Sequence, residues 1–227
     1  MHDRNREPNI QIRVDGTSIY GDLSVPEDLG GVVIFAHGSG SSRLSPRNRH
    51  VAEVLQNAGF ATLLLDLLTE DEELLDRDTA KLRFNIPFLA NRLLRATEWL
   101  TQQPALEGMK IGYFGASTGA AAALVAAADS GDRIAAVVSR GGRPDLAGPA
   151  LRKVQAPTLL VVGGDDRVVL DLNYEALTQL ECEKSIEIVP HATHLFEEPG
   201  ALEEVARLAR QWFEQHLGRR KEKIHAA

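Results

Sequence analysis

Two rhythms of apolar positions run along the chain. Ile10, Ile12 and Val14 alternate with polar residues, Asp15-Gly16 interrupts, and Ser18-Ile-Tyr-Gly-Asp-Leu23 resumes. Two short extended runs about a D-G turn predict an N-terminal hairpin. Val32-Val-Ile-Phe-Ala36 is apolar throughout, as a strand covered on both faces must be. Comparable runs at 61–65, 111–114, 134–138, 158–162 and 186–189 predict further strands. Between them the period lengthens. Residues 46–57 carry Val51, Val54 and Leu55 on one side and close at Ala58-Gly59, which predicts a helix. Further helices are predicted near 87–100, 120–128 and 170–180, with a long amphipathic one at 200–217. The acidic stretch 66–78, with Glu70, Asp71, Glu72, Glu73 and Asp76, reads as a solvated loop or a short exposed helix. Strands alternating with helices after a hairpin give an α/β protein. The expectation is a mostly parallel sheet of about seven to eight strands with helices on both faces. No internal repeat or linker interrupts residues 1–227, which read as a single domain without a large cap domain.

Composition narrows the class of partner. With 227 residues and 44% hydrophobic content, a full-sized core is within reach. A net charge of −7 argues against nonspecific nucleic-acid binding. Arg219-Arg220-Lys221, the one basic cluster, reads as a solvated tail. The single cysteine, Cys182, excludes an internal disulfide and suits a reducing compartment. The first eight residues lack an apolar signal core, and no run approaches a membrane span. The expectation is a cytoplasmic monomer or homodimer with no membrane partner.

The chemistry centres on Gly115-Ala-Ser-Thr-Gly119, placed between an apolar run and an alanine-rich helical run. A serine on a sharp strand-to-helix turn flanked by small residues is a nucleophile elbow. Functional groups in open α/β sheets gather at the C-terminal ends of strands. Three other polar loops follow predicted strands: His37-Gly-Ser-Gly40, Gly163-Gly-Asp-Asp-Arg-Val168 and Pro190-His-Ala-Thr-His194. A nucleophilic serine needs a base, and the base needs a carboxylate to fix its tautomer. The order serine, acid, histidine selects Ser117, Asp166 and His194. Asp166 is favoured over its neighbour Asp165 and His194 over His191. Either aspartate could instead cap the helix that follows. Backbone N–H groups of Ser39 and Thr118 are the expected oxyanion donors. His37 reads as a packed residue shaping its loop. His191 and His194 have H-x-x-H spacing, but without a third ligand they do not predict a metal site.

These four loops together resemble the dienelactone hydrolase-like branch of the α/β-hydrolases, from Val32 to the last helix. The resemblance implies the α/β-hydrolase fold, a Ser-His-Asp triad and esterase-type chemistry without a cofactor. Dienelactone hydrolases carry a cysteine in the elbow where this chain has Ser117, so the dienelactone substrate is not implied. Ser139-Arg-Gly-Gly-Arg-Pro-Asp145 further resembles a loop in small proteins of this kind, some of them fused to phosphoribosyltransferases. The expected activity is hydrolysis of small esters through an acyl-enzyme. Thioester, lactone or peptide cleavage by the same triad, or ligand binding without catalysis, are the alternatives. Segments 67–87 and 140–151 are the expected pocket walls, with Arg43, Arg140 and Arg143 as candidate substrate contacts. In an alternative arrangement Leu74, Leu75, Leu82 and Phe84 form an apolar cover over the acyl chain.

Overall fold

The computed structural model describes residues 6–218. The Arg219-Arg220-Lys221 cluster lies outside the described residues. The predicted hairpin is present as β1 (Arg6–Val14) and β2 (Thr17–Ser24), antiparallel, with Ile12 opposite Ile19. Next come β3 (Gly31–Ala36), α1 (Pro46–Asn57), β4 (Phe60–Leu65), α2 (Glu70–Thr79) and α3 (Ile86–Thr101). Then follow β5 (Ile111–Ala116), α4 (Thr118–Ser130), β6 (Ile134–Arg140) and a kinked 3₁₀ segment at Pro144–Lys153. β7 (Thr158–Gly163), α5 (Arg167–Gln179), β8 (Lys184–Val189) and α6 (Ala201–His216) complete the described chain.

The eight strands form one sheet in the order β1-β2-β4-β3-β5-β6-β7-β8. β2 joins β4 antiparallel, and every pairing from β4 across to β8 is parallel. Alternation within β3 explains its unbroken apolar sequence. Val32, Ile34 and Ala36 enter the core layer shared with α3 and α4, whereas Val33 and Phe35 enter the layer under α1 and α6. Both faces are thereby dry, and no position of the strand is left for a polar residue.

This topology determines where a site can form. From β3 the chain runs outward to β4, and from β5 it runs the opposite way through β6, β7 and β8. The reversal opens a crevice at the C-terminal ends of β3 and β5. Those two strands are register partners, with Ala36 opposite Gly115, so the loops beginning at His37 and at Ser117 emerge side by side.

The acidic stretch is more regular than its composition suggests. Thr69 caps α2: its Oγ1 accepts from Glu72 N at 3.2 Å while Glu72 Oε2 accepts from Thr69 N at 2.8 Å. This reciprocal box satisfies two otherwise unpaired amides. Glu72 Oε1 also takes Arg92 Nη2 of α3 at 2.6 Å, which anchors the helix.

Candidate active site

Backbone strain marks Ser117, the candidate nucleophile. Ser117 has φ 51° and ψ −121°, a conformation rarely adopted by a residue with a side chain. Packing imposes it. A Cβ on Gly119 would lie 2.3 Å from Ala36 O and 2.4 Å from His37 O, and one on Gly115 would lie 2.4 Å from Ala120 Cα. These are backbone atoms that cannot swing aside, so α4 can start this close to β3 and β5 only with glycine at both places. Gly119→Ala is therefore expected to destabilise the fold by about 3 kcal/mol through overpacking. Gly30→Ala, whose Cβ would meet nothing nearer than 3.5 Å, should stay within about 0.5 kcal/mol of the parent. Urea midpoints of the two variants check this.

The candidate acid and base, Asp166 and His194, are in contact. His194 Nδ1–H donates to Asp166 Oδ2 at 2.7 Å. Asp166 occupies the N-cap position of α5, yet its side chain makes no capping bond and reaches His194 instead. Asp165 is exposed and engages the histidine loop only through its backbone N–H, which donates to Ala192 O at 3.0 Å. His191 is exposed at φ 61°, with no bond to either aspartate. The loop around His194 is held at both sides. Glu198 Oε1 accepts Thr193 N at 3.0 Å and Thr193 Oγ1 at 2.5 Å, and Phe196 is 1% exposed. Leu195 does not share that pinning role, being 40% exposed.

Main-chain bonds tie Ser117 to the segment that passes beside His194. Ser117 N donates to Arg140 O at 3.3 Å, and Arg143 N donates to Ser117 O at 3.1 Å. Between them lies Gly141, on which a Cβ would stand 3.6 Å from His194 Nδ1. Among the described residues no hydrogen bond joins Ser117 Oγ to His194 Nε2. Such catalytic bonds are commonly long in an empty site and tighten when substrate arrives.

The loop after β3 lies against the nucleophile. A Cβ on Gly38 would stand 2.9 Å from the Ser117 Cβ. His37 holds this loop as a neutral ring: Nδ1–H donates to Gly38 O at 2.9 Å and Nε2 accepts Leu67 N at 2.9 Å. Burial pushes its pKa below the usual histidine range, outweighing the Gly38 carbonyl and Asp66, which act in the opposite sense. Both ring nitrogens are occupied, so the residue is structural. Ser39 lies next along the loop, its Oγ 3.0 Å from Thr118 Oγ1.

A cavity of about 500 Å³ opens beside these loops, lined in part by Gly38, Ser39 and Thr118. Segment 67–87 forms one wall as expected, contributing Leu67, Leu68, Glu73, Asp76, Arg77 and Arg83. Segment 140–151 does not line this cavity, and neither do Ser117, Asp166 or His194; the segment lies against Ser117 and His194 instead, through Arg140 O, Arg143 N and Gly141. The apolar-cover arrangement is corrected. Leu74, Leu75 and Phe84 are 56%, 71% and 53% exposed, and Leu82 packs on the core instead. The face of α2 towards the cavity is charged.

The three candidate arginines are engaged elsewhere. Arg43 pairs with Asp22 at 3.3 Å and with Asp66. Arg143 grips Asp145 with two bonds of 2.8 Å. Arg140 is 7% exposed, donates to Asn48 Oδ1 at 3.5 Å and stacks over the Phe196 ring; burial lowers its pKa to about 10. None of the three lines the cavity; the arginines that do are Arg47, Arg77 and Arg83. A linear sequence cannot show that Asp22 and Asp66, from β2 and the end of β4, converge on Arg43.

Among the described residues no group of three His, Cys, Asp or Glu could hold a metal, and no helix is long and apolar enough to cross a membrane.

Similarity to known proteins gives the family and the fold. The dienelactone hydrolase family pattern matches residues 19–217. The structure of a dienelactone hydrolase from Anabaena variabilis superposes with a TM-score of 0.92 at 56% identity, covering 95% of this chain and 100% of that one. Est1E from Butyrivibrio proteoclasticus shares the fold at TM-score 0.77 and 17% identity, over 92% of this chain and 98% of its own. A Mycobacterium tuberculosis protein described as "Putative phosphoribosyl transferase" is 57% identical over 212 residues, which is 93% of this chain and 47% of that protein. The chain thus spans about half the length of the curated relatives it matches.

Proposed function

The chain belongs to the dienelactone hydrolase family, and we propose that it is a serine hydrolase cleaving small carboxylic esters through Ser117, His194 and Asp166. The observation that carries this reading is the Asp166–His194 bond of 2.7 Å beside a serine held at φ 51°. Asp166 fixes the tautomer that leaves Nε2 of His194 unprotonated. Nε2 takes the Ser117 proton as Oγ attacks the ester carbonyl, then returns it to the departing alcohol. Water activated by the same nitrogen releases the acid. Backbone N–H groups of Ser39 and Thr118 stabilise the oxyanion, the latter at the N-terminus of α4 where the helix dipole adds to it. No cofactor is required.

The cavity supports a preference for short acyl groups. Its volume is ordinary for a small-molecule site. Each methylene adds about 0.8 kcal/mol only where an apolar wall receives it. Here Leu67, Leu68 and Leu89 supply limited apolar wall, and Glu73, Asp76 and Arg77 interrupt it. On p-nitrophenyl esters, kcat/KM is expected to peak between acetate and hexanoate and to fall by dodecanoate. An optimum at decanoate or longer would contradict the charged wall. Labelling of Ser117 by a fluorophosphonate, mapped by mass spectrometry, tests the nucleophile directly, and failure to label would leave a ligand-binding role.

A further inference from the structure

We propose that Asp76 and Arg83, on the cavity wall, are positioning residues for the hydrolysis, acting on the oxyanion hole through the hydroxyls of Ser39 and Thr118. The inference rests on the reading of the site given above. It starts from an imbalance in how the two oxyanion donors are held. Thr118 is 3% exposed and belongs to the first turn of α4, so its N–H is fixed by the helix. Ser39 is exposed at a turn closed by Ser41 N donating to Gly38 O at 3.2 Å, outside any helix or strand. An oxyanion donor displaced by a fraction of an ångström loses much of its effect on rate. Side-chain bonds at Ser39 would add to what the turn supplies.

The candidates are a chain of side-chain bonds. Ser39 Oγ lies 3.0 Å from Thr118 Oγ1 and 3.5 Å from the carbonyl oxygen of Arg83. At 3.0 Å either hydroxyl can donate to the other; the arrangement that also satisfies the Arg83 carbonyl, which only accepts, runs from Thr118 to Ser39 to Arg83. The next link is rigid. The Asp76 carboxylate accepts Leu82 N at 2.6 Å, Arg83 N at 3.2 Å and Arg83 Nε at 2.6 Å, and Arg83 Nη2 also donates to the Asp76 carbonyl. Asp76 is 1% exposed. A buried carboxylate gripped by two backbone amides and a guanidinium fixes the Arg83 main chain, and so the carbonyl that Ser39 meets. Ser39, Asp76 and Arg83 all face the cavity. The same wall that receives the substrate thereby sets one of the two donors.

The test uses the purified full chain and p-nitrophenyl butyrate. Ser39→Ala and Thr118→Val are each expected to lower kcat about 10- to 100-fold with KM within threefold. Butylboronic acid, a mimic of the tetrahedral intermediate, should lose affinity in proportion. The double variant should lose no more than the worse single one, since the two hydroxyls act as one chain. Thr118→Ser should restore most of the activity. Arg83→Gln, which keeps the carbonyl but removes the guanidinium grip, and Asp76→Asn should each lower kcat about tenfold at similar KM. Arg83→Gln decides the matter if Asp76→Asn does not fold. Losses that multiply in the double variant, or kcat within threefold in the single hydroxyl variants, would overturn the relay. Unchanged kcat in Arg83→Gln would overturn the part assigned to the cavity wall. Hydrolysis that survives Ser117→Ala, or a parent protein that neither cleaves the ester nor labels with a fluorophosphonate, would instead reject the serine-hydrolase reading, so the two failures are distinguishable.

Discussion

Ser117→Ala is expected to lower kcat on p-nitrophenyl esters by about 10⁴- to 10⁶-fold with the fold intact. The substitution removes one oxygen and nothing that holds the elbow. The bonds at this turn are main-chain ones, Ser117 N to Arg140 O and Arg143 N to Ser117 O, and alanine keeps both. Circular dichroism and the urea midpoint should therefore match the parent. A second variant separates chemistry from strain. Ser117→Gly removes the same oxygen but relaxes a backbone held at φ 51°, ψ −121°. It is expected to be as inactive as Ser117→Ala and up to about 1 kcal/mol more stable, the glycine's larger unfolded-state entropy offsetting part of the relief. Turnover within tenfold of the parent in either variant, with contaminating esterase excluded, would remove Ser117 from the mechanism. Equal stability of the two would mean that the strain released at the positive φ is no larger than the entropy cost of the glycine.

How far this site could be read from the sequence depended on whether its determinants were local. The elbow was legible because each part is local: an apolar run, small residues about Ser117, and a helical run after it. The fully apolar Val32-Ala36 strand was equally plain, since burial on two faces leaves no polar position to confuse the pattern. α2 was harder. Its ten residues hold few apolar positions, so no apolar periodicity marks it as a helix. The available sign was Thr69-x-x-Glu72, a capping box in the residues themselves. The arginines were not legible at all. Whether Arg43 faces substrate or Asp22 and Asp66 depends on elements brought together only by the sheet. The same holds for Arg83 and Asp76: seven residues apart, they form the tightest polar cluster on the cavity wall, yet nothing in the composition of 66–87 distinguishes them from a solvated charge run.

The choice between neighbouring aspartates yields the second large effect. Asp166→Asn should lower kcat about 10⁴-fold, as the equivalent change does in serine-protease triads, while Asp165→Asn should stay within about threefold of the parent. The reason is the direction of one hydrogen bond. Asp166 Oδ2 accepts the His194 Nδ1 proton at 2.7 Å, which leaves Nε2 free to accept from Ser117. An asparagine placed so that its amide nitrogen faces the ring favours the other tautomer, with the proton on Nε2, and that nitrogen can no longer act as a base. An asparagine turned to present its oxygen would keep the tautomer but could not stabilise the imidazolium with a full charge. Both orientations impair the step, and neither alters the cavity, so KM should change little. Asp165 is different in kind: its contribution is a backbone N–H to Ala192 O, which asparagine retains. Steady-state kinetics on the two purified variants, read beside their urea midpoints, decide the assignment. Loss in Asp165→Asn with Asp166→Asn within tenfold of the parent would transfer the acid's role to the neighbour. It would also mean that the 2.7 Å contact, diverted from the cap of α5, serves only to hold the histidine loop in place.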